Sequence, residues 1–598
     1  MADGGKGFVI SEAAAADDKT PQRERIIDAV QARGVTFWHD LDGVAFATVP
    51  IDPQDIENGA IAHYRVRGRR FNLVCRQTYG TANPVTNTRG KRLGSVSDSA
   101  MQEAIPAFEA MALGMPACQP SVRLARNLGA IWIDLGDDTH RAIRVTAEGW
   151  TIETRLNAPL IRPDGMRALP TPVREHGALD HLRSLLNVNT ADFKLYAAWL
   201  VAALWPEGPY PVLALDGEQG SGKSTICRML RRLVDPNTAD LRAVPRKEDD
   251  LLIAAMNGRI VAFDNVSYIE SDMADALCRV ATGAGFGKRT MYSDLGETII
   301  SVCRPVLLNG IPSLLARGDL ADRSIAITRP HIPDDKRRTE EVVWREFDKA
   351  APGILALLLD ALVTALRRLP NMKLGHLPRM ADFAKLACAA APAFGWTEAD
   401  MLTAIENNRE AVVETVVEAD QVAEAVRIIL AELLNGWEGT ATMLLAAINM
   451  RVPEDVKKER GWPKDATRLS ARLKRIQPAL RRVGIEIEHS REGNARNRTI
   501  TIRQSRKTAS IASAASAHNE KPYKMGVFCA DAEKTAASAS VRTASANLAA
   551  SASKMPANYG FFANADIAAD AADAADADFP YLEEAGAEGD DFADEVVI

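Results

Sequence analysis

Residues 211–234 read PVLALDGEQGSGKSTICRMLRRLV, and this stretch decides the fold of the centre of the chain. An apolar run ending at Gly217 predicts a buried strand, and the helical spacing of apolar residues after Gly222 predicts an amphipathic helix. Between them, Gly217, Gly222, Lys223 and Ser224 fit the pattern G-x-x-x-x-G-K-[ST]. Glycines suit such a loop because its N–H groups must curl around phosphates, where a Cβ would intrude. The spacing therefore predicts a phosphate-binding P-loop.

The residue types in this loop indicate ATP with Mg²⁺ as the ligands. Lys223 is expected to neutralise the β- and γ-phosphates, and the Ser224 hydroxyl to bind the magnesium ion. The positive end of the following helix points at the same phosphates. The other residues expected to contact the nucleotide are Gly217, Gly220, Gly222 and Thr225.

Two further apolar runs end in a polar residue. The run NGRIVAFDNVS predicts a strand that ends at Asp264, which we expect to hold magnesium through its hydration shell. The run RPVLLNGIPSL predicts a strand that ends at Asn309, whose amide would orient the attacking water. The alternative for Asn309 is a turn formed by the Asn-Gly pair.

An arginine follows these strands in the stretch DLADRSIAI, residues 319–327. Arg323 lies there between a predicted turn and a predicted strand. It would act as a finger that reaches the γ-phosphate in a neighbouring subunit. The alternative is a surface ion pair with Asp322.

The order of these motifs resembles the superfamily 3 helicases of the AAA+ class, in particular phage- and plasmid-type primase-helicase ATPases. The resemblance covers about residues 180–420 and is strongest over 211–330. It implies an AAA+-like α/β core that forms a homo-oligomeric ring and hydrolyses ATP between subunits. It also implies that GAGFGKRTMYSD, residues 283–294, carries a pore hairpin on which Lys288 and Arg289 grip DNA. A solvated pair of loop charges is the alternative for these two residues.

Asn265 departs from the pattern of this class, in which many members carry Glu directly after the magnesium Asp as general base. Either Glu270 or Asp264 supplies the base, or turnover is slow. The sequence therefore supports ATP binding better than fast hydrolysis.

The stretch 463–503 predicts a helix that begins at Asp465, followed by a basic β-hairpin. This layout is that of a winged helix, and it resembles the C-terminal modules of phage primase-helicases. Residues 451–505 hold fifteen Lys and Arg against seven Asp and Glu, which favours nucleic-acid binding over a merely solvated face. The predicted contacts are Arg468, Arg472 and Arg475 on the helix, and Arg491, Arg496 and Arg498 on the wing.

Short alternating runs over residues 21–177 predict an α+β N-terminal module. Five arginines (Arg65, Arg67, Arg69, Arg70 and Arg76) fall on segments that read as strands, which indicates either a second nucleic-acid patch or an ordinary surface. Three aspartates near His140 are better explained by a turn between strands than by a primase site. Primase activity is therefore not predicted.

The remaining segments complete the domain organisation. We expect disorder over 1–20, the P-loop core with its helical lead-in over 178–335, a helical region over 336–419, the winged helix over 420–505 and a disordered Ala/Ser-rich tail over 506–598. Residues 560–598 hold twelve Asp and Glu and no Lys or Arg. This acidic end either docks on a basic groove, for example that of a replication protein, or only aids solubility.

Several classes of protein are disfavoured by composition. Seven scattered cysteines without a C-x-x-C pair form neither a disulfide framework nor a thiolate zinc site. The start of the sequence does not read as a signal peptide, and no run of about 18 apolar residues indicates a membrane span. We expect a cytoplasmic protein with no membrane contact.

Two hypotheses of function remain. The first is a ring-forming, DNA-dependent ATPase that acts in the replication of a phage, plasmid or integrated element. It would be a helicase or translocase on single-stranded or forked DNA. The second is an ATP-controlled oligomeric switch that binds nucleic acid in regulation or defence without unwinding it, which Asn265 fits. A small-molecule kinase is weaker because it needs neither the Asp-Arg element nor the basic module.

Overall fold

The computed structural model describes residues 20–87, 90–289, 297–310, 318–433, 435–458, 461–492, 497–504 and 523–524. The segments predicted to be disordered, 1–20 and 506–598, lie outside the described residues except for Thr20 and a short strand at Tyr523–Lys524.

The front of the chain contains three helices and eleven short strands among its described residues, which fits the predicted mixture of helices and strands. Its elements are α1 (Gln22–Ala32), β1 (Thr36–His39), β2 (Ala45–Pro50), β3 (Ile61–Arg65), α2 (Arg69–Ala82), β4 (Val85–Asn87), β5 (Gly90–Arg92), α3 (Asp98–Leu113), β6 (Ser121–Val122), β7 (Leu124–Asn127), β8 (Ala130–Asp134), β9 (Ala142–Val145), β10 (Trp150–Glu153) and β11 (Leu160–Ile161). One sheet has the order β1-β2-β3-β11-β6 and a second has the order β10-β9-β8-β7.

The prediction that the arginines of residues 65–76 lie on strands is wrong for most of them. Arg65 ends β3, but Arg69, Arg70 and Arg76 lie on helix α2. The stretch is helical because Phe71, Cys75 and Tyr79, four residues apart, all bury against the core. The spacing of four residues between these buried side chains fits a helix, and it outweighs the preference of single residues for strands.

The central part begins with two helices and continues as a parallel sheet. Its elements are α4 (Ala178–Leu186), α5 (Thr190–Ala203), β12 (Val212–Gly217), α6 (Lys223–Val234), α7 (Glu248–Met256), β13 (Val261–Val266), α8 (Ser271–Thr282), β14 (Phe286–Arg289), β15 (Glu297–Ile300), β16 (Val306–Gly310), α9 (Gly318–Ala321) and β17 (Ser324–Arg329). Four strands pair in parallel in the order β13-β16-β12-β17. Strand β12 is interior, so the loop that follows it opens at the middle of the carboxyl edge.

Both faces of this sheet are covered. Leu213 and Leu215 of β12 pack into one hydrophobic core, whereas Val212 and Ala214 pack into another on the opposite face. The first core also contains Ile131 of the second front sheet. The predicted boundary at residue 177 therefore does not separate two hydrophobic cores.

A buried ion pair fastens the front sheets to the central sheet. Arg123, between β6 and β7, and Asp235, which caps the carboxyl end of α6, are both fully buried, and Arg123 Nε lies 3.3 Å from Asp235 Oδ1. The other carboxylate oxygen accepts from the backbone N–H of Arg259 at 2.8 Å and of Ile260 at 3.2 Å. One carboxylate thus joins three separate segments of the chain.

The carboxyl-terminal part is mainly helical. Its elements are α10 (Glu340–Arg368), α11 (Ala381–Ala390), α12 (Glu398–Ala419), α13 (Gln421–Glu432), β18 (Trp437–Thr440), α14 (Ala441–Asn449), α15 (Glu454–Lys458), α16 (Ala466–Arg482), β19 (Ile485–Glu492), β20 (Asn497–Gln504) and β21 (Tyr523–Lys524). Helix α10 with its last turn is long and apolar enough to cross a membrane, but 67% of its most apolar stretch is buried inside the protein. Burial of this kind is also found in the core helices of soluble proteins, so the helix is weak support for a membrane span.

Helix α12 belongs to two cores at once. Val412 and Val416 pack with the central sheet, whereas Val413 and Val417 pack with α13, α14 and α16. The core of the C-terminal module therefore begins inside α12, before the predicted boundary at residue 420.

His63 on β3 lies opposite Thr48 on β2 and is held as a neutral ring. Its Nε2 contacts the carbonyl oxygen of Ala158 at 3.0 Å, and since a carbonyl only accepts, this nitrogen carries the proton. The Thr48 hydroxyl then donates to Nδ1 at 2.9 Å. Burial lowers the pKa of His63 to about 4.

This histidine is expected to make the protein less stable in mild acid. A lowered pKa in the folded state contributes stability that is present above the unfolded pKa of 6.5 and is lost as pH falls towards about 4. Between pH 7 and pH 5 the loss is about 2 kcal/mol. Urea unfolding should show a pH dependence smaller by this amount in His63→Gln, whose amide can still donate to Ala158. Equal pH dependence in both proteins would contradict the assignment.

Candidate functional site

The loop between β12 and α6 has a backbone that only glycine adopts readily at three positions. Gly217, Gly220 and Gly222 have φ values of 137°, 80° and 73°. A Cβ on Gly217 would also lie 2.6 Å from the carbonyl oxygen of Arg329. The glycines of the predicted loop are therefore required by its conformation.

Lys223 is the first residue of α6 and folds back over the loop. Its Nζ donates to the carbonyl oxygens of Gly217 at 2.9 Å and Glu218 at 2.8 Å. Burial lowers the pKa of the Lys223 ammonium, and the nearby Asp216 carboxylate opposes this change. A phosphate group placed in the loop would offer the ammonium a charged acceptor in place of two neutral ones.

Three of the predicted residues meet at the carboxyl edge of the sheet. The Ser224 hydroxyl donates to Asp264 Oδ1 at 3.0 Å, and Asn309 Nδ2 donates to Ser224 Oγ at 2.9 Å and to Asp264 Oδ1. Asn309 is 2% exposed, and its Oδ1 is buried without a hydrogen-bond partner among the described residues. Asp264 and Asn309 come from β13 and β16, and Ser224 from α6, which follows β12. Parallel pairing of β13, β16 and β12 brings the ends of these strands side by side.

The Ser224–Asp264 pair fits magnesium chemically. A hydroxyl and a carboxylate oxygen are ligands that Mg²⁺ prefers, and this ion usually takes few protein ligands beside phosphate and water. Within the described ranges, no cluster of three or more His, Cys, Asp or Glu side chains could hold a metal. The pair would therefore bind the ion only together with phosphate oxygens.

Asn265 has a left-handed backbone, with φ of 52°. Its N–H donates to Asp264 Oδ1 at 2.9 Å, and the pairing of β13 with β16 is irregular between Phe263 and Val266. Asn occupies this conformation at lower cost than most residues. The residue that departs from the expected Glu thus helps to orient the Asp264 carboxylate.

Arg329 and Arg337 are residues of this site that the sequence analysis missed. Arg329 ends β17, pairs in register with Gly217, is 3% exposed, and its Nε donates to the Ser221 carbonyl at 3.2 Å. Arg337 Nη2 lies 3.6 Å from the position a Cβ on Gly220 would occupy. The sequence signal that could have identified Arg329 is its position at the end of the strand that pairs with β12, the strand before the loop.

Arg323 lies at the amino-terminal ends of the strands of this sheet, whereas the glycine loop lies at their carboxyl ends. Its carbonyl accepts from the N–H of Val212, where β12 begins, whereas the loop follows the end of that strand. Its Nη1 donates to the carbonyl oxygen of Asp319 at 3.1 Å. The alternative pair with Asp322 is not found among the described residues, because Asp322 pairs with other arginines.

The predicted pore hairpin is an antiparallel pair in the part that is described. Lys288 lies opposite Thr298, and Arg289 opposite Glu297, on β14 and β15. The side chains of Lys288 and Arg289 and the connecting residues 290–296 lie outside the described part of the chain.

The basic helix α16 has the predicted cap and apolar face. The Asp465 side chain accepts from the N–H of Arg468, and Leu469, Leu473, Ile476 and Leu480 are buried. Arg468 and Arg475 are exposed, but Arg472 is not free as predicted, because its Nη2 lies 2.6 Å from the Asp420 carboxylate. Helix packing brings α12 and α16 together, which the sequence pattern does not reveal.

The predicted wing is the antiparallel hairpin β19–β20, in which Arg491 lies opposite Arg498. The side chains of both arginines, and the whole of Arg496, lie outside the described residues. The two strands pair over their full length, from Ile485 with Gln504 to Glu492 with Asn497.

Comparison with protein families assigns the chain to a group. Residues 179–411 match the family described as actinomycete integrative conjugative element replication protein, and residues 422–517 match the AICE RepA C-terminal domain. Together the two matches cover more than half of the 598 residues. The chain belongs to this family of replication proteins. The sites at Lys223 and on α16 both fall within the matched residues of this replication protein.

Solved structures add a distant likeness. The A-form apo structure of the NrS-1 C-terminal region shares 14% identity with this replication protein, with a TM-score of 0.34, over 80% of this chain and 99% of that one. A second apo structure of that region has 12% identity and a TM-score of 0.33, over 81% and 100%. Likeness at this level does not assign a function. No curated protein matches the chain.

Proposed function

We propose that this replication protein is an ATP-dependent DNA helicase or translocase that works in the replication of its integrative conjugative element. The observation that carries the proposal is the meeting of Ser224, Asp264 and Asn309 beside the glycine loop that Lys223 covers. Such a P-loop ATPase core positions ATP and Mg²⁺ and needs little covalent chemistry of its own.

Each residue has a role in this scheme. Lys223 binds the β- and γ-phosphates, and Ser224 and Asp264 hold the magnesium ion that ATP brings. Asn309 orients water with its Oδ1, which has no hydrogen-bond partner among the residues described. Asp264 or Glu270 acts as the general base, since Asn265 cannot.

The position of Arg323 favours a site shared between subunits. Strand β12 separates it from the loop of its own subunit, and six residues of strand span about 20 Å. Arg323 would reach the γ-phosphate bound in an adjacent subunit of a ring, as an arginine finger does.

DNA is the proposed partner of the basic surfaces. The exposed Arg468 and Arg475 on α16 would meet phosphates, and a helix followed by a hairpin fits a winged helix. The hairpin with Lys288 and Arg289 would couple hydrolysis to movement of a strand, single-stranded or at a fork.

The proposal is tested by steady-state ATP turnover with and without single-stranded DNA. We expect strong stimulation by DNA in the natural protein and strand separation on a forked substrate. Tight ATP binding with near-zero turnover that DNA does not change would favour the second candidate, an ATP-controlled switch, for which Asn265 at the base position is the observation in favour.

Arg323→Ala should be inactive alone and should recover activity in mixed rings. The variant keeps an intact loop but lacks the finger, whereas Lys223→Ala has the finger and a defective loop. Mixing the two creates sites with both parts, so turnover should exceed that of either variant alone. Absence of any recovery, with mixing verified by size, would place Arg323 outside the shared site.

A further inference from the structure

One carboxylate at the junction of α9, α12 and α16 faces three arginines. Asp322 pairs with Arg379, lies 2.5 Å from Arg482 Nη1, and lies 3.9 Å from Arg409 Nη2. Its side chain is only 11% exposed. One carboxylate thus faces three guanidinium groups, of which Arg409 also lies near Glu406.

A cavity of about 180 Å³ opens beside this group of charges. Its polar lining includes Arg379, Arg472, Arg475 and Arg482 against Asp319, Asp322 and Asp420. Arg472 Nε, which belongs to this lining, is buried with no hydrogen-bond partner in the described part of the chain. Arg409 lies next to Arg482 but outside the lining of the cavity. Burial lowers the pKa of Arg409, and repulsion by Arg482 adds to this effect. An anion bound to Arg482 in the cavity would offset that repulsion and would give Arg472 Nε an acceptor.

Two of the three arginines of α16 in this cavity are held by carboxylates from outside α16. Arg482 is held by Asp322, which follows α9, and Arg472 by Asp420, whose other oxygen caps α13 through the N–H groups of Val422 and Ala423. A phosphate accepts a guanidinium fork in the same way as a carboxylate. A phosphodiester could therefore replace these carboxylates as the acceptor.

We infer that this cavity binds a backbone phosphate of DNA, which competes with Asp322 for Arg482. In the absence of DNA, the Asp322–Arg482 pair holds α16 against the central domain. When a phosphate takes Arg482, that contact opens. Exposed Arg475 lies on the rim, where a strand bound along α16 would enter.

This contact links DNA binding to the site of hydrolysis. Asp322 directly precedes Arg323, and the Arg323 guanidinium donates to Asp319, which also lines the cavity. Loss of the Asp322–Arg482 pair would therefore change the placement of the proposed finger. The inference rests on the proposed function, since it assumes that α16 contacts DNA.

The test measures binding of a labelled single-stranded oligonucleotide by anisotropy over a series of salt concentrations. Asp322→Asn removes the competing charge and should raise affinity by about twofold to fivefold, the value of an ion pair near the surface. Arg482→Gln should lower affinity and reduce the salt slope by about 0.7, the share of one phosphate. Arg482→Lys keeps the charge and should keep the slope, which separates lost charge from misfolding.

The matched control is Arg468→Gln on the outer face of the same helix. The gain from Asp322→Asn should persist with Arg468→Gln and vanish with Arg482→Gln. Millimolar inorganic phosphate at equal ionic strength should leave the gain intact; if it abolishes the gain, the cavity takes free phosphate and the DNA assignment is overturned.

The outcomes separate this inference from the proposed function. If Arg468→Gln weakens DNA binding while Asp322→Asn and Arg482→Gln change nothing, the competition is wrong and the helicase proposal stands. If the natural protein does not bind the oligonucleotide, both fail.

Discussion

Replacing Lys223 with alanine is expected to lower ATP turnover by about a hundredfold or more, with or without DNA. Loss of a positioned charge on a transferring phosphoryl group has effects of this size. The Lys223 ammonium donates hydrogen bonds to two carbonyl oxygens of the loop. Among the described residues, no other lysine is seen to contact this loop. Steady-state phosphate release is the measurement.

The control for this variant is Lys349→Ala, which removes an exposed lysine on α10 outside the site. Its turnover should equal that of the natural protein. A Lys223→Ala protein that remains folded and hydrolyses ATP at the natural rate would exclude this loop as the catalytic site.

Removing the Asp235 carboxylate is expected to lower the free energy of unfolding by about 3–5 kcal/mol, as for other broken buried ion pairs. Asp235→Ala leaves Arg123 buried without its counter-ion and also leaves the N–H groups of Arg259 and Ile260 without an acceptor. Since Arg123 is fully buried, solvent cannot compensate. Urea unfolding followed by circular dichroism measures the change.

The exposed pair Glu341–Arg345 on α10 provides the comparison. Its side chains are 80% and 71% exposed, so Arg345→Ala should cost no more than about 0.5 kcal/mol. Similar losses in Asp235→Ala and Arg345→Ala would show that the buried pair does not hold the front sheets to the central sheet.

The residues of the loop site could be predicted because local sequence determines their positions. Gly217, Lys223 and Ser224 are adjacent to one strand and one helix, and parallel strands place Asp264 and Asn309 at the same edge. The roles assigned to these residues are predictions that ATP turnover will test. Helix α16 was predictable for a similar reason, because its cap and its apolar stripe are local signals.

Long-range partners could not be predicted in this way. Arg123 and Asp235 are 112 residues apart, and Arg482 and Asp322 are 160 apart, so no periodicity connects them. Helix α2 was misread as strand because a short apolar segment fits both periods. Arg472 was predicted to be free to bind DNA phosphates, but it pairs with Asp420. The packing of α12 against α16 brings this partner close, and the local sequence does not show that packing.

Helix α12 is shared by two halves of the described structure, the central sheet with its helices and the C-terminal module. Neighbouring residues on it, Val412 and Val413, are fixed in different cores, and the same holds for Val416 and Val417. A rotation of this helix therefore cannot be confined to one half. Asp420, an extended residue between α12 and α13, is the joint at the end of this helix. That joint is also where a carboxylate holds Arg472, so its stiffness depends on charge as well as on packing.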